Sequence, residues 1–520
     1  MKKGFLAVLL GTVLALALVP SAQAADPGKY LGGADFNFRG QYWMWGTYQE
    51  NIADFDSDRN DTRRSIFQRF RWYFDTSYEG KYGGTLGFEW NWRWGSVGAA
   101  NAIGGGPDGD DLTDNTRLKH AYVWFMLPWA PVNSVKVSAG LGIQPSIDPQ
   151  NIMFASNDFF GVRVDVPIIK GIVNLTGAWL IDSIGRDPGL TVDSQGGFGG
   201  GPGASAPDRW SDDSDYYILH ATANVAKWLN LGAYWVWGHA MENGRLDNLA
   251  WGAGAPYGTP GFPFTYTGQV QGILGGRNLG SVWDGDVYWN GLYFFLKPDP
   301  WFVNGHVNVM YGNSGLPHDV TIGTAWAYFL QAGWRSGPFM VSARGWWFDG
   351  DKDTDRRPGH FAGPGDKWDR WFGPDPFFAS TELWYSGYTS WGTGITGYES
   401  SPGGTAFVGM ENSWQVTKKL KLDFLFGYLM FTNDSDKPYA TMGEMGGGVF
   451  LPPNKDKEIG WEFNLAGTYK LYDNLALTLG FNYLIAGDGL DHWQRTRVGQ
   501  WEYRSADDAY EIFWRLLYTF

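Results

Sequence analysis

A chain of 520 residues leaves room for roughly two to four soluble domains, yet 74 glycines and 30 tryptophans depart from soluble usage. The absence of cysteine excludes a disulfide framework, so stability has to come from the fold's own pairing. Forty basic residues stand against 54 acidic ones, a formal charge of −14, which argues against nucleic acid as a partner.

The first residues, MKKGFLAVLLGTVLALALVPSAQA, give two lysines, an apolar run from Phe5 to Val19 and the small-x-small set Ala22-Gln23-Ala24. That layout predicts a signal peptide over 1–24, cleaved after Ala24. The mature chain, 25–520, is then a single domain outside the cytoplasm, with a formal charge of −16 once Lys2 and Lys3 are removed from the −14. No later segment has the long charge-free apolar run of a transmembrane helix. A chain that crosses a membrane without one does so as a closed β-barrel, which satisfies every backbone N–H and C=O in lipid.

Period-two alternation recurs along the chain. It starts weakly near Phe36 and Ile66, then sharpens where Leu86, Phe88, Trp90, Trp92 and Trp94 alternate with Thr85, Gly87, Glu89, Asn91 and Arg93. Weaker runs follow near Leu118, Val135, Phe160, Val173, Tyr217, Leu231, Val287, Val303, Ile322, Phe339 and Ala406. Clear ones return at Leu420 to Tyr428, at Ile459, Trp461, Phe463 and Leu465, at Leu475 to Tyr483, and at Tyr510, Ile512, Trp514, Leu516, Tyr518 and Phe520. These are strands with one apolar face.

Eight connections are short and rich in Gly, Pro, Asn, Asp or Lys: 79–84, 128–133, 167–171, 226–230, 297–301, 335–338, 417–419 and 472–474. Others, such as 183–214, 241–284, 349–404 and 486–506, are long and loop-like. Alternation of the two kinds predicts an all-β fold, a transmembrane antiparallel β-barrel of about 18 strands with short periplasmic turns and long extracellular loops. A strand pair within 379–398 would raise the count. A soluble propeller also has many short strands and tryptophans, but it buries both faces of its blades.

Taking the apolar set outward leaves the second face of each strand for the lumen. The pore-lining bases are then Arg39, Arg69, Arg71, Arg93, Arg117, Lys119 and Arg163, on strands that should be neighbours; Asp35, Asn37, Glu89 and Asp165 share their face. Later strands turn the acids Asp182, Glu411, Asp423 and Glu462 inward with fewer bases, notably Arg344, Lys421 and Arg515. This predicts a basic wall facing a more acidic one; mutual ion pairing that merely fills the wall is the competing reading. Tyr518 and Phe520 resemble the C-terminal signature of bacterial outer-membrane barrels, the signal read by the barrel assembly machinery. An extended final strand is a physical handle for such pairing.

Asp54, Asp56 and Asp58 imitate the first ligands of a calcium loop, but Arg59 and Ser65 stand at positions six and twelve, so the pattern fails. The acidic runs 54–61, 107–114 and 208–215 read as a solvated external face. The seven histidines have no metal-ligand spacing, no nucleophile motif is present, and no metal, cofactor or enzymatic step is expected. Residues 242–285, rich in Gly, Pro and aromatics, are long enough to fold into the lumen as a constriction.

The segment GLGIQPSIDPQNIMFASNDFFGVRVDVPI, 140–168, resembles the alginate-export family of outer-membrane barrels and, more loosely, other bacterial porins. The matching features are a strand ending in Gly-x-Gln-Pro, an Asn/Asp-rich loop, and Asp158-Phe159-Phe160-Gly161-Val162-Arg163. The resemblance implies a barrel of about eighteen strands with an arginine-rich lumen for an anionic polysaccharide, and carries over Arg163. Together these readings predict an outer-membrane channel for passive diffusion of polar, anionic solutes such as carboxylated sugars or oligosaccharides. Its other partners would be outer-membrane lipid, lipopolysaccharide and the barrel assembly machinery. A non-selective porin, a barrel-embedded hydrolase and a scaffold barrel enclosing a partner protein such as a cytochrome are the alternatives.

Overall fold

The computed structural model describes residues 33–51, 57, 62–94, 116–129, 134–144, 147, 159–183, 214–240, 285–313, 321–349, 405–432, 439–441, 449–451, 456–495 and 501–520. The predicted signal peptide, the 379–398 strand pair and the 242–284 constriction lie outside them.

The strands in chain order are β1 Asp35–Glu50, β2 Arg63–Tyr78, β3 Tyr82–Trp94, β4 Thr116–Met126, β5 Lys136–Ile143, β6 Phe159–Ile169, β7 Val173–Ser183, β8 Ser214–Ala226 and β9 Leu229–Ala240. They continue with β10 Gly285–Leu296, β11 Trp301–Asn313, β12 Thr321–Ser336, β13 Phe339–Phe348, β14 Thr405–Gln415, β15 Leu420–Phe431, β16 Tyr439–Thr441 and β17 Val449–Leu451. The last are β18 Glu458–Tyr472, β19 Leu475–Ala486, β20 His492–Arg495, β21 Trp501–Arg504 and β22 Ala509–Thr519.

Eighteen of these strands form one antiparallel sheet. It closes on itself because β22 pairs β1 from Gln41↔Thr519 to Glu50↔Tyr510 while β19 pairs β22 on its other edge. The fold is therefore a closed eighteen-stranded barrel. Because closure removes the edges from which a sheet unravels, protein folded in detergent is expected to run at different positions on a gel before and after boiling. A single mobility under both conditions would count against closure.

The eight short connections all join at one end, where β1 also begins and β22 ends. Glu79 (φ 49°) and Gly80 (φ 65°) are consecutive left-handed residues, and Lys81 N donates to Tyr78 O at 2.8 Å. This is a type I′ hairpin turn, whose twist matches that of the flanking strands.

The outward face is apolar and exposed, with Leu292 60%, Val408 64% and Leu479 58% accessible. Aromatic rings concentrate at its two ends. Tyr217, Trp237, Tyr288 and Tyr311 stack strand to strand near the long connections, with centroids 4.8, 6.5 and 5.4 Å apart. Near the short turns Phe339 stacks on Trp414 at 5.5 Å. Amphipathic rings at both rims suit a membrane's two interfaces.

Two features depart from the sequence reading. Ile459, taken as outward, is fully buried because the register slips between Leu429 and Met430 and a bulge reverses the parity of that one residue. The loop-like 486–506 contains the 3-10 turn Asp488–Leu490 and strands β20 and β21. These pair with β16 and β17 into a separate four-stranded sheet, whose three- and four-residue strands are too short to show a periodicity.

Candidate functional site

Register and burial together assign the inner face. Trp43↔Arg69 and Trp45↔Phe67 across β1 and β2, and Arg69↔Asn91, Arg71↔Glu89 and Asp75↔Thr85 across β2 and β3, share the side opposite the exposed Phe38 and Leu86. Here the bases converge. Glu89 Oε2 lies 3.8 Å from Arg69 Nε and 3.7 Å from Lys119 Nζ, and it accepts a very short bond from Arg71 Nε. The Trp43 ring lies beside both guanidinium groups, at 5.6 Å from Arg69 Cζ and 5.3 Å from Arg71 Cζ, within cation–π range. The side chains of Glu89 and Arg69 are each 9% accessible. Removing one partner of so buried a pair costs about 3–5 kcal/mol, so Glu89 holds the cations in place.

Lys119 joins this group through a defect in the ladder. Gly87 pairs His120 while Phe88 pairs Leu118, so Lys119 is the extra residue of a β-bulge. His120 consequently turns inward as well, and its ring lies 5.1 Å from Tyr73 and 5.9 Å from Tyr122.

The other expected bases are placed as follows. Arg39 binds Asp75 through Nε at 2.6 Å and lies 4.2 Å over Tyr73. Arg163 pairs with Asp165 at 2.9 Å and donates to Gln144 O at 3.2 Å, so two residues of the 140–168 likeness touch. Arg93 stands opposite Phe67 and Arg117 opposite Glu89; their side chains lie outside the described set. Of the acids, Glu411 binds Arg344 at 2.6 Å and Asp423 binds Lys421 at 2.7 Å. Glu462 is fully buried and accepts from Asn464 at 2.8 Å, and Asp182 falls at the register slip between Ile181 and Ser183, its side chain outside the described set. Tyr518 faces outward beside Phe520, ring centroids 5.7 Å apart.

Among the described side chains, the inner face of β1 to β6 carries six bases (Arg39, Arg69, Arg71, Lys119, Lys136, Arg163) against four acids (Asp35, Asp75, Glu89, Asp165). The rest of the wall is near balance rather than acidic. Arg335 and Lys470 also take inward register positions, beside Arg344, Lys421 and Arg515 and against Glu411, Asp423, Glu462 and Glu511.

Two inner-face groups escaped the sequence reading. From β7 to β15 the inner face is largely apolar and buried, with Leu180, Val236, Met310 and Leu429 at 0% and Trp289 at 1%. Within it His220 Nε2 meets Tyr293 OH at 2.8 Å and Tyr234 OH meets His306 Nε2 at 2.6 Å. Asn308 donates to the Tyr234 hydroxyl at 2.7 Å, so Tyr234 joins Asn308 and His306 in one buried polar group. Tyr234 and Tyr293 lie across Gly291 and Gly232 of the neighbouring strands, where any Cβ would overlap the rings. The alternation of small, apolar and aromatic residues at these positions was the available signal. The cross-strand pairing that assembles them is invisible in one sequence. Among the described residues no group of three or more His, Cys, Asp or Glu is placed to hold a metal ion.

No family model matches the chain, and no curated protein sequence matches it. Among solved structures it is similar to OpdL of Pseudomonas aeruginosa, at 11% identity over 94% of this chain and 99% of that one, with a TM-score of 0.48. Similar values hold for OccK8 (OprE) of Pseudomonas aeruginosa, at 12% identity, 94% and 98% coverage and a TM-score of 0.47. A BenF-like porin from Pseudomonas fluorescens Pf-5 gives 10% identity, 93% and 98% coverage and a TM-score of 0.47. The closed register described above is what establishes the barrel.

Proposed function

We propose that the protein is an outer-membrane channel through which polar, anionic solutes diffuse, with no chemical step. The observation that supports this reading most is the convergence of Arg69, Arg71 and Lys119 on the single carboxylate of Glu89, on the inner face of a closed barrel. Three cations around one acid leave an excess of positive charge where an anion's field lines are confined by a low-dielectric wall. A passing carboxylate can exchange with Glu89 as partner of a guanidinium fork. A row of such sites, continued by Arg39 and Arg163, permits stepwise movement rather than tight capture.

The finer form of the proposal is a carboxylated sugar or acidic oligosaccharide. The cations of this wall suit the carboxylates, and the likeness of 140–168 to alginate-export barrels points the same way. Export by a signal peptide over 1–24, insertion by the barrel assembly machinery and contact with lipopolysaccharide belong to the same proposal. Purified protein in a planar bilayer under a salt gradient is expected to conduct, with a reversal potential showing moderate anion preference. A closed membrane, or a cation preference, would overturn the reading.

A further inference from the structure

Across β7 to β14 the outer wall of the barrel is dented, and a depression of about 1060 Å³ opens on its outward face. Small residues at outward register positions make the floor. Ala221 and Ala233 face each other on β8 and β9, Gly305 stands on β11, and Ala332, Ala343 and Gly345 stand on β12 and β13. Gly305 is needed where it is, because the outward Phe294 ring lies across it and any Cβ would overlap that ring. The taller Leu292, Leu330 and Val408 rise around this floor. None of the outward lining residues is charged, and the Trp347 indole is already bonded to Asp349 at 2.9 Å. His306 and Arg344 also border the depression, but their side chains turn to the inner face, to Tyr234 and Glu411.

Its height and position match one leaflet of a membrane. From Tyr328 to Ala332 along β12, and from Ala343 to Trp347 along β13, it extends about 14 Å at the usual rise of a strand. Half of a hydrocarbon core about 30 Å thick is nearly the same. On β8 to β12 the depression lies in the half of each strand nearer the short turns. Acyl chains are the medium at this depth, and a hollow they leave unfilled forfeits dispersion contacts along its whole lining. A second copy of the chain fits less well, because two concave faces related by a two-fold axis leave a gap between them.

The rim beneath one end of the depression is built for a lipid head group. The turns joining β6 to β7 and β8 to β9 are tied together, Asn224 N donating to Ile172 O at 2.7 Å. At these turns Ile168, Ile169, Ile172, Val225 and Trp228 are all 48–58% accessible. Apolar turn tips of this kind belong in an interface, where a Trp ring sits at head-group depth. Exposed in the same two turns are Lys170 and Lys227. Along the rest of this rim Lys297 and Arg335 lie over the inner-face rings of Phe295 and Phe302, at 5.2 and 5.7 Å. Asp299 is the one acid in the turns from β6 to β15, Lys418 and Lys419 add bases beyond β14, and Lys421 and Asp423 pair with each other at 2.7 Å. We infer that the depression holds an anionic phospholipid of the leaflet nearest the short turns, its acyl chains on the Ala and Gly floor and its phosphate at Lys170 and Lys227. The charge on the head group suits exposed lysines beside an apolar groove. This inference rests on the membrane-spanning barrel and is independent of which solutes the lumen admits.

The test is native mass spectrometry of the full-length protein, stripped of lipid in detergent and reloaded with phosphatidylglycerol, cardiolipin or phosphatidylethanolamine. Retention of the two anionic lipids is expected to exceed that of phosphatidylethanolamine by about fivefold for each lysine engaged. Ala233→Phe combined with Ala343→Phe fills the floor from both sides and is expected to abolish retention of all three. Lys170→Gln with Lys227→Gln should keep the binding and remove the preference among head groups. Each variant should still change mobility on boiling; if the Phe pair fails to fold, Ala233→Leu with Ala343→Leu carries the same test. Retention that survives filling of the floor would overturn the inference. So would a stripped protein that takes up no phospholipid, or a head-group preference untouched by the loss of both lysines.

Discussion

Arg69→Glu combined with Arg71→Glu is expected to convert an anion-preferring channel into a cation-preferring one. Each change alters the local charge by two units, so the inner wall shifts by four beside Glu89 and Trp43. In water a unit charge about 10 Å away acts with about 0.4 kcal/mol, so four units give about 1.7 kcal/mol, or roughly a 15- to 20-fold change in ion partition, which screening reduces. The reversal potential in a salt gradient should change sign. Arg69→Gln with Arg71→Gln should stop near neutrality, which separates an effect of charge from a collapse of the buried cluster. A reversal potential unmoved by either pair would make Arg69, Arg71, Lys119 and Glu89 a structural ion-pair network, as buried pairs often are.

The second large effect is expected at the closure seam. Phe520 exchanges two backbone hydrogen bonds with Gly40, at 2.8 and 3.0 Å. Its ring lies outward against Phe38 and Phe70, with centroids 5.4 and 5.9 Å away. Gly40 is the residue beneath that ring: a Cβ there would overlap it and would approach Arg71 O to 2.7 Å. Deletion of Phe520 removes both the pairing and an aromatic contact worth about 2 kcal/mol; Phe520→Asp keeps the backbone pairing, removes the contact and sets a charge on the outward face. The amount inserted in the membrane should fall, with the conductance of surviving pores unchanged because the ring faces away from the lumen. Gly40→Val should reproduce the defect with the terminus intact. Normal insertion of all three variants would separate the terminal ring from assembly.

Much of the barrel is legible in the sequence, and the reason is physical. A strand facing lipid on one side must alternate, so the apolar sets ending in Phe520 or running from Leu475 to Tyr483 reveal both strand and facing. Short turns are marked by the residues that tight turns require, as in Glu79-Gly80. The inner face is harder to read because nothing compels it to be uniformly polar. Leu425 and Leu429 alternate with the outward Phe424 and Tyr428 in one apolar run, and Trp289, Met310 and Trp346 resemble outward residues until the register places them. The convergence on Glu89 was similarly hidden. Sequence supplies the parity of Arg69, Arg71 and Lys119, but only pairing across three strands shows that they share one carboxylate.

The bulge in β4 makes Lys119 supernumerary. Elsewhere in that strand, losing one residue reverses the facing of all that follow, sending Val123 and Phe125 into the lumen and Tyr122 and Trp124 into lipid. A deletion at Lys119 itself restores the plain alternation, with Leu118 outward, His120 inward and every other side chain where it was. The position behaves as an insertion the strand has absorbed. In the reading frame of the sheet it is a place in β4 where a residue, and with it a cation, can be inserted or removed without rewriting the rest of the wall.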